Sequence, residues 1–167
     1  MDTLIPSHCG HIAPRYRHAS AQLADRIAAN TNPDMTIPGQ SRARNAKILV
    51  VDDDAGIRDL LREVLLDSGY DVELAANGAD ALAAIRSAPP AVVLMDLMMP
   101  ILSGFEATKV LKHDETTAAI PIVAMSAGRT LESLGSALPI DDYVSKPFEL
   151  TRLLAILERH IAAPEPT

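Results

Sequence analysis

Side chains suited to metal or phosphate chemistry stand directly after short apolar runs in this sequence. Three aspartates, residues 52–54, follow KILVV, and Asp96 follows AVVLM. Ser126 follows the run IPIVAM, and Lys146 follows DYVS. Neighbouring carboxylates repel one another unless a proton or a cation lies between them, and oxygen ligands of this kind suit Mg²⁺. A carboxylate can also bond covalently to a phosphoryl group, whose charge a metal ion, a lysine and a serine would neutralise and orient.

The position of Asp96 raises the sharpest question. This residue follows five apolar residues in AVVLMDLMMP, and a charged carboxylate is costly to bury. Either it lies at a surface rim by accident or it is placed there for chemistry. We expect Asp96 at the open edge of a sheet, where it escapes burial and meets a metal ion.

Alternating strand and helix patterns must position these side chains. The predicted strands are KILVV, DVELA, AVVLM, IPIVAM and DYVS, and the predicted helices lie within DDDAGIRDLLREVLLDSGY, ADALAAIRSA, GFEATKVLKHD, RTLESLGSA and FELTRLLAILERHI. Asp54 is expected to cap the first helix and Gly69 to end it. Apolar strands that alternate with helices favour an α/β fold, a doubly wound five-stranded parallel sheet covered on both faces. Right-handed crossovers then bring the carboxyl ends of all strands to one edge, where ligands bind.

The chain divides into three parts by composition. Residues 1–45 contain many Pro, Asn, Ser and Arg residues, and their piece SAQLADRIAAN predicts a helix too short to persist alone. We therefore predict a mobile N-terminal extension over residues 1–45, disordered or partly helical. The folded domain is predicted over residues 46–161, and a short tail over residues 162–167.

Charge and composition exclude several classes of function. Residues 1–46 hold five Arg against three Asp, whereas residues 47–167 hold ten Lys and Arg against nineteen Asp and Glu. The acidic folded part argues against a DNA partner and allows a cation site. Cys9 is the single cysteine, which excludes an internal disulfide and fits a reducing compartment. Because no secretory signal and no apolar run of about 18–20 residues occurs, we expect a cytoplasmic protein without a membrane partner.

Four motifs then resemble a known family. The strings ILVVDDD, MDLMMP with Gly104 after it, VAMSA and DYVSKPF occur in this order, and they resemble the receiver domain of two-component response regulators over roughly residues 46–161. The resemblance implies a flavodoxin-like (βα)5 receiver fold and Mg²⁺ as the cofactor. It also implies that a sensor histidine kinase or phosphotransfer protein supplies a phosphoryl group, which switches docking to a downstream protein target. Such a protein is not an enzyme that turns over an external substrate.

The resemblance assigns the metal ligands and the acceptor. It makes Asp96 the phosphoacceptor and a metal ligand. Asp53 matches a residue that binds Mg²⁺ directly, and Asp52 matches one that binds it through water. The backbone carbonyl of Met98 would be a further ligand, so that its side chain need not be polar.

The resemblance also assigns switch residues. Ser126 matches the hydroxyl that bonds a phosphoryl oxygen, and Lys146 matches the ion-pairing lysine, followed by the cis-prone step to Pro147. Tyr143 matches an aromatic that turns inward on activation. The string ALPIDDY departs from the family's usual turn, and the interval between Ser126 and Lys146 is short. We therefore expect a shortened or irregular helix after the fourth strand.

Alternative functions remain at this point. Only AAPEPT follows the last predicted helix, so we expect a stand-alone regulator or a phosphorelay shuttle, either a monomer or a phosphorylation-dependent dimer. The segment VVDDDAG also resembles the start of haloacid-dehalogenase-type phosphatases. In that family, however, the lysine precedes the later acidic pair, whereas here Asp141 and Asp142 precede Lys146.

Overall fold

Five parallel strands form one sheet in the order β2-β1-β3-β4-β5. The computed structural model describes residues 45–127 and 138–162. The strands are β1 Lys47–Val51, β2 Asp71–Ala75, β3 Val92–Asp96, β4 Ile122–Ala127 and β5 Asp142–Lys146, and the described helices are α1 Ala55–Asp67, α2 Gly78–Ser87, α3 Gly104–His113 and α4 Leu150–Ala162. The predicted five-stranded parallel sheet is confirmed. The predictions for residues 1–44, for the helix in RTLESLGSA and for the tail beyond Ala162 lie outside the described residues.

The strand order explains why the central strands are apolar throughout. β1 pairs with β2 on one side and β3 on the other, and β3 in turn pairs with β4. All five residues of β3 are buried, as are Ile48, Leu49, Val50 and Val51 of β1. The chain moves outward from β1 to β2 and then returns to β3, so the order reverses between β1 and β3. A crevice opens at such a reversal, beyond the carboxyl ends of the two strands.

The helices begin and end largely where the sequence predicts. The Asp54 side chain caps α1 by accepting hydrogen bonds from the N–H groups of Gly56 and Ile57, at 2.7 and 3.2 Å. Gly69 follows the helix with a φ of 88°, which its lack of a side chain permits. In α4 the buried residues are Leu153, Leu154, Ile156 and Leu157. None of the described helices is long and apolar enough to span a bilayer.

A lysine ties α3 to the sheet. The ammonium of Lys112 donates hydrogen bonds to the carbonyls of Ala118 and Ile120, both at 3.0 Å, and to Asp141 at 2.8 Å. The same carboxylate oxygen of Asp141 accepts the N–H of Ile122 at 2.8 Å. The Lys112 side chain is only 12% exposed, so its charge is held in the turn that leads into β4.

We expect Lys112→Met to lower the free energy of unfolding by about 1.5–3 kcal/mol, because two carbonyls and one carboxylate lose a charged donor. Urea unfolding followed by circular dichroism measures this. The matched control is Lys109→Met, since Lys109 lies on the exposed face of α3 over the Phe105 ring. That change should cost no more than about 1 kcal/mol; equal losses in the two variants would contradict the assignment.

Ile101 has a φ of 72°, which lies in the left-handed region of backbone conformation. The residue is also 85% exposed, so packing around its side chain does not explain this conformation. A β-branched side chain is strained in this conformation. Hydrogen bonds of the residues that follow Ile101 fix the turn. The N–H of Gly78 donates to the carbonyl of Leu102 at 3.0 Å, and Ser103 forms a capping box with Glu106. The loop between β3 and α3 therefore holds Ile101 in place without burying it.

We expect Ile101→Gly to raise the free energy of unfolding by about 0.5–1 kcal/mol, because relief of the strain exceeds the entropy that glycine adds to the unfolded chain. Thermal and urea unfolding check the sign. Ile101→Val keeps the branched Cβ and should leave stability unchanged. A loss of stability in the glycine variant would show that the Ile101 side chain makes a contact that its exposure does not reveal.

Candidate functional site

Three carboxylates meet at the carboxyl edge of the sheet, beyond the point where the strand order reverses. Asp52 and Asp53 follow β1, and Asp96 is the last residue of the neighbouring strand β3. One oxygen from each of the three lies within 4.8 Å of the others. The parallel register brings them together, because Val51 is paired with Met95 and the residue after each of them therefore lies at the same end of the two strands.

Asp52 is completely buried, and all its polar atoms have partners. Its N–H donates to the carbonyl of Ala75 at 3.2 Å. Its two carboxylate oxygens accept from the N–H of Asp54 at 3.0 Å and from Lys146 at 2.6 Å. Its carbonyl accepts from the guanidinium of Arg58 at 2.6 Å. The Asp52 carboxylate is therefore fixed in orientation, with both oxygens already engaged.

Asp96 is also buried, with 6% of the residue exposed. The prediction that it escapes burial is wrong. One carboxylate oxygen accepts the backbone N–H of Met98 at 3.0 Å, and the other accepts the ammonium of Lys146 at 2.6 Å. These charge-assisted hydrogen bonds offset the cost of desolvation that the apolar run led us to expect.

Lys146 joins the two buried carboxylates. Its ammonium lies 2.6 Å from an oxygen of Asp52 and 2.6 Å from an oxygen of Asp96. Burial acts to lower the pKa of Lys146, but the hydrogen bonds to Asp52 and Asp96 outweigh it and the pKa is raised. Burial raises the pKa of Asp52, which the hydrogen bonds from Lys146 and the Asp54 N–H oppose only in part. Lys146 therefore stays charged, whereas burial disfavours the charged form of Asp52. A further positive charge nearby would stabilise the Asp52 carboxylate, so the site favours binding of a cation.

Asp53 differs from its two neighbours in being exposed. Its carboxylate lies at the mouth of the cluster, where it can reach a ligand from solvent. Met98 is also exposed, at 67% of the residue, whereas Met95 and Met99 are buried in the core. The predicted role of the Met98 carbonyl as a metal ligand stays a prediction.

Ser126 lies at the end of β4, one residue beyond the partner of Asp96 in the register. The residue is 1% exposed, and its hydroxyl oxygen has no hydrogen-bond partner among the described residues. A buried hydroxyl without a partner costs free energy, and such a group commonly awaits a ligand. The predicted role of Ser126 is compatible with this position.

The predicted switch tyrosine is partly exposed on the edge of the sheet. Tyr143 belongs to the edge strand β5 and is 47% exposed, while the next residue, Val144, is buried. Its role in activation stays a prediction. The Lys146–Pro147 peptide bond is cis, as expected.

Two residues of the site carry roles that the sequence did not reveal. A Cβ at Gly104 would lie 1.9 Å from the carbonyl oxygen of Asp96, so α3 can begin directly against the end of β3 only if this residue is glycine. Arg58 bonds the carbonyl of Asp52, although its place in α1 could equally have faced solvent. The glycine was visible in its motif, whereas nothing in the sequence distinguishes Arg58 from Arg62.

The chain resembles known signalling proteins in sequence and in structure. Residues 48–158 match the model of the response regulator receiver domain, which is not an enzyme family. The DNA-binding response regulator MtrA of Mycobacterium tuberculosis is 39% identical over 111 residues, which make up 65% of this chain and 47% of MtrA. The chain thus spans about half the length of the curated relatives it matches.

Solved structures show the same fold. A putative response regulator from Chloroflexus aurantiacus is 29% identical, with a TM-score of 0.68 over 72% of this chain and 100% of that one. The chemotaxis protein CheY4 of Vibrio cholerae is 34% identical, with a TM-score of 0.63 over 69% of this chain and 98% of that one.

The expectation that DNA plays no part is wrong, because relatives that share this domain are DNA-binding response regulators. The expectation rested on the acidic charge of residues 47–167 and on the few residues after the last helix. The charge of a receiver domain describes that domain alone and says nothing about binding by other parts of a response regulator.

The raised pKa of Asp52 predicts a dependence of stability on pH. The folded state binds the Asp52 proton more tightly than the unfolded state, so this group's contribution to stability falls as pH rises from the unfolded pKa near 4 through the folded pKa. We expect the free energy of unfolding of Asp52→Asn, relative to that of the wild type, to increase as the pH rises from 4 to 7, because only the wild type must keep a buried carboxylate charged at the higher pH. Urea unfolding between pH 4 and 7 measures it.

The control for this prediction is Asp59→Asn, which removes an exposed carboxylate of α1. It should leave the free energy of unfolding at pH 7 within about 0.5 kcal/mol of the wild type. If the difference in stability between Asp52→Asn and the wild type does not change between pH 4 and 7, the cost of holding this buried charge is not what we infer.

Proposed function

The chain belongs to the response regulator receiver domain family of two-component signalling, and on this premise we propose that it accepts a phosphoryl group on Asp96 and so changes its contacts with an output partner. The observation that carries the proposal is the pair of buried carboxylates joined by Lys146, together with the exposed Asp53 and the hydroxyl of Ser126, which has no partner among the described residues. The donor would be the phosphohistidine of a sensor kinase or of a phosphotransfer protein.

The donor set fits Mg²⁺. Asp53 is exposed and Asp96 has one partner on each oxygen, so both could bind the ion directly. Asp52 is completely buried, and the family resemblance gives it contact with the ion through water. The carbonyl of Met98 would complete the protein ligands. When bound, Mg²⁺ would supply positive charge that neutralises phosphoryl oxygens.

The side chains of the site would divide the work of transfer. An oxygen of Asp96 forms a bond to phosphorus as the bond from phosphorus to the donor nitrogen breaks, and the nitrogen keeps the electron pair. The positive charge of Lys146 would then neutralise part of the negative charge on the transferred phosphoryl group. The Ser126 hydroxyl, which has no partner within residues 45–127 and 138–162, would donate a hydrogen bond to a phosphoryl oxygen. Movement of Ser126 towards this group would start the switch, with Tyr143 turning inward after it.

We expect the wild type to take up one phosphoryl group per chain from phosphoramidate in the presence of Mg²⁺, and Asp96→Asn to take up none, because an amide is not a nucleophile of this kind. Reduction of the labelled protein with borohydride, followed by peptide mass spectrometry, locates the acyl phosphate. EDTA should abolish labelling.

Asp59→Asn serves again as the control, because it removes an exposed carboxylate outside the cluster and should label like the wild type. Full labelling of Asp96→Asn would refute the acceptor assignment. Labelling of the wild type that EDTA leaves intact would refute the need for a divalent cation.

A further inference from the structure

Arg58 links the first turn of α1 to the acidic cluster. Its guanidinium donates to the carbonyl of the buried Asp52 at 2.6 Å. We infer that Arg58 is a positioning residue for the metal site, which sets the direction of the Asp53 carboxylate and thereby the affinity for Mg²⁺. This inference deepens the proposed function and rests on it.

The Asp52 carbonyl needs a partner from outside the regular structure. Asp52 has left β1 and precedes the cap of α1, so neither the strand nor the helix offers its carbonyl an N–H group. A buried carbonyl without a hydrogen bond is costly. Among the described residues, the partner found for it is Arg58.

The peptide bond transmits this contact to the next residue. The carbonyl of Asp52 and the N–H of Asp53 lie in one rigid plane, so a fixed carbonyl also fixes the direction in which the backbone of Asp53 continues. The Asp52 side chain anchors the other end of this plane through Lys146 and the Asp54 N–H. Asp53 is itself exposed, so this plane is what fixes the position of its Cα, from which the carboxylate would reach the ion.

Electrostatics alone predicts the opposite effect of removing Arg58. A guanidinium next to a cation site repels the incoming ion, so its loss should tighten Mg²⁺ binding if charge is what matters. Loss of the hydrogen bond to Asp52 should weaken Mg²⁺ binding if positioning is what matters. The sign of the change in Mg²⁺ affinity therefore separates the electrostatic effect of Arg58 from its positioning effect.

The test is Mg²⁺ titration by isothermal calorimetry at constant ionic strength, with Arg58→Met compared to wild type. We expect the Kd to rise about tenfold, as supporting residues of metal sites typically cause. The control, Arg62→Met, removes the same charge from an exposed position on the same helix and should change the Kd by less than about twofold. Urea unfolding confirms that each variant is folded; if Arg58→Met is not, Arg58→Leu replaces it with the same expectation, because leucine also lacks a hydrogen-bond donor.

A second readout separates positioning from general damage. The Mg²⁺ concentration for half-maximal labelling by phosphoramidate should rise about tenfold in Arg58→Met, while the rate at saturating Mg²⁺ stays within about twofold. Unchanged or tighter Mg²⁺ binding by Arg58→Met overturns the inference, as does an equal loss in Arg62→Met. If the wild type binds no Mg²⁺, the proposed function itself fails and the inference with it.

Discussion

The ammonium of Lys146, held between the carboxylates of Asp52 and Asp96, is the interaction on which the site depends. Two buried negative charges at one edge of a sheet would repel each other and lose hydration. One lysine at 2.6 Å from both offsets part of this cost. The part of the desolvation cost that Lys146 does not offset keeps the pKa of Asp52 raised, so the site favours binding of a further cation. Holding these buried charges at the edge of the sheet therefore lowers the stability of the domain.

The fold makes this arrangement possible through the order of its strands. β1 and β3 are neighbours although β2 and two helices separate them along the chain. Their carboxyl ends therefore deliver Asp52 and Asp96 to the same place, and β4 and β5 add Ser126 and Lys146 from one side. Gly104 lets α3 start against the carbonyl of Asp96, which keeps the loop after β3 tight.

Three departures from ordinary packing lie around this edge. Asp52 is a fully buried charge, Ser126 has a buried hydroxyl without a described partner, and Ile101 holds a left-handed backbone in the loop after β3. Such departures commonly mark functional sites, because the surrounding structure must maintain them. The core beneath is regular by comparison, with β3 and most of β1 buried as continuous apolar strands.

The amino-acid sequence by itself determined the five strands, the four described helices and the set of polar residues that the sheet gathers, because apolar periodicity and capping residues such as Asp54 are local signals. It also indicated the family through motifs whose spacing is visible along the chain. Only the tertiary structure decided that Asp96 is buried, that Lys146 holds both carboxylates and that Arg58 rather than Arg62 reaches Asp52. These facts depend on distances between residues far apart in sequence and on which face of a helix meets the loop, and neither is encoded in a local pattern.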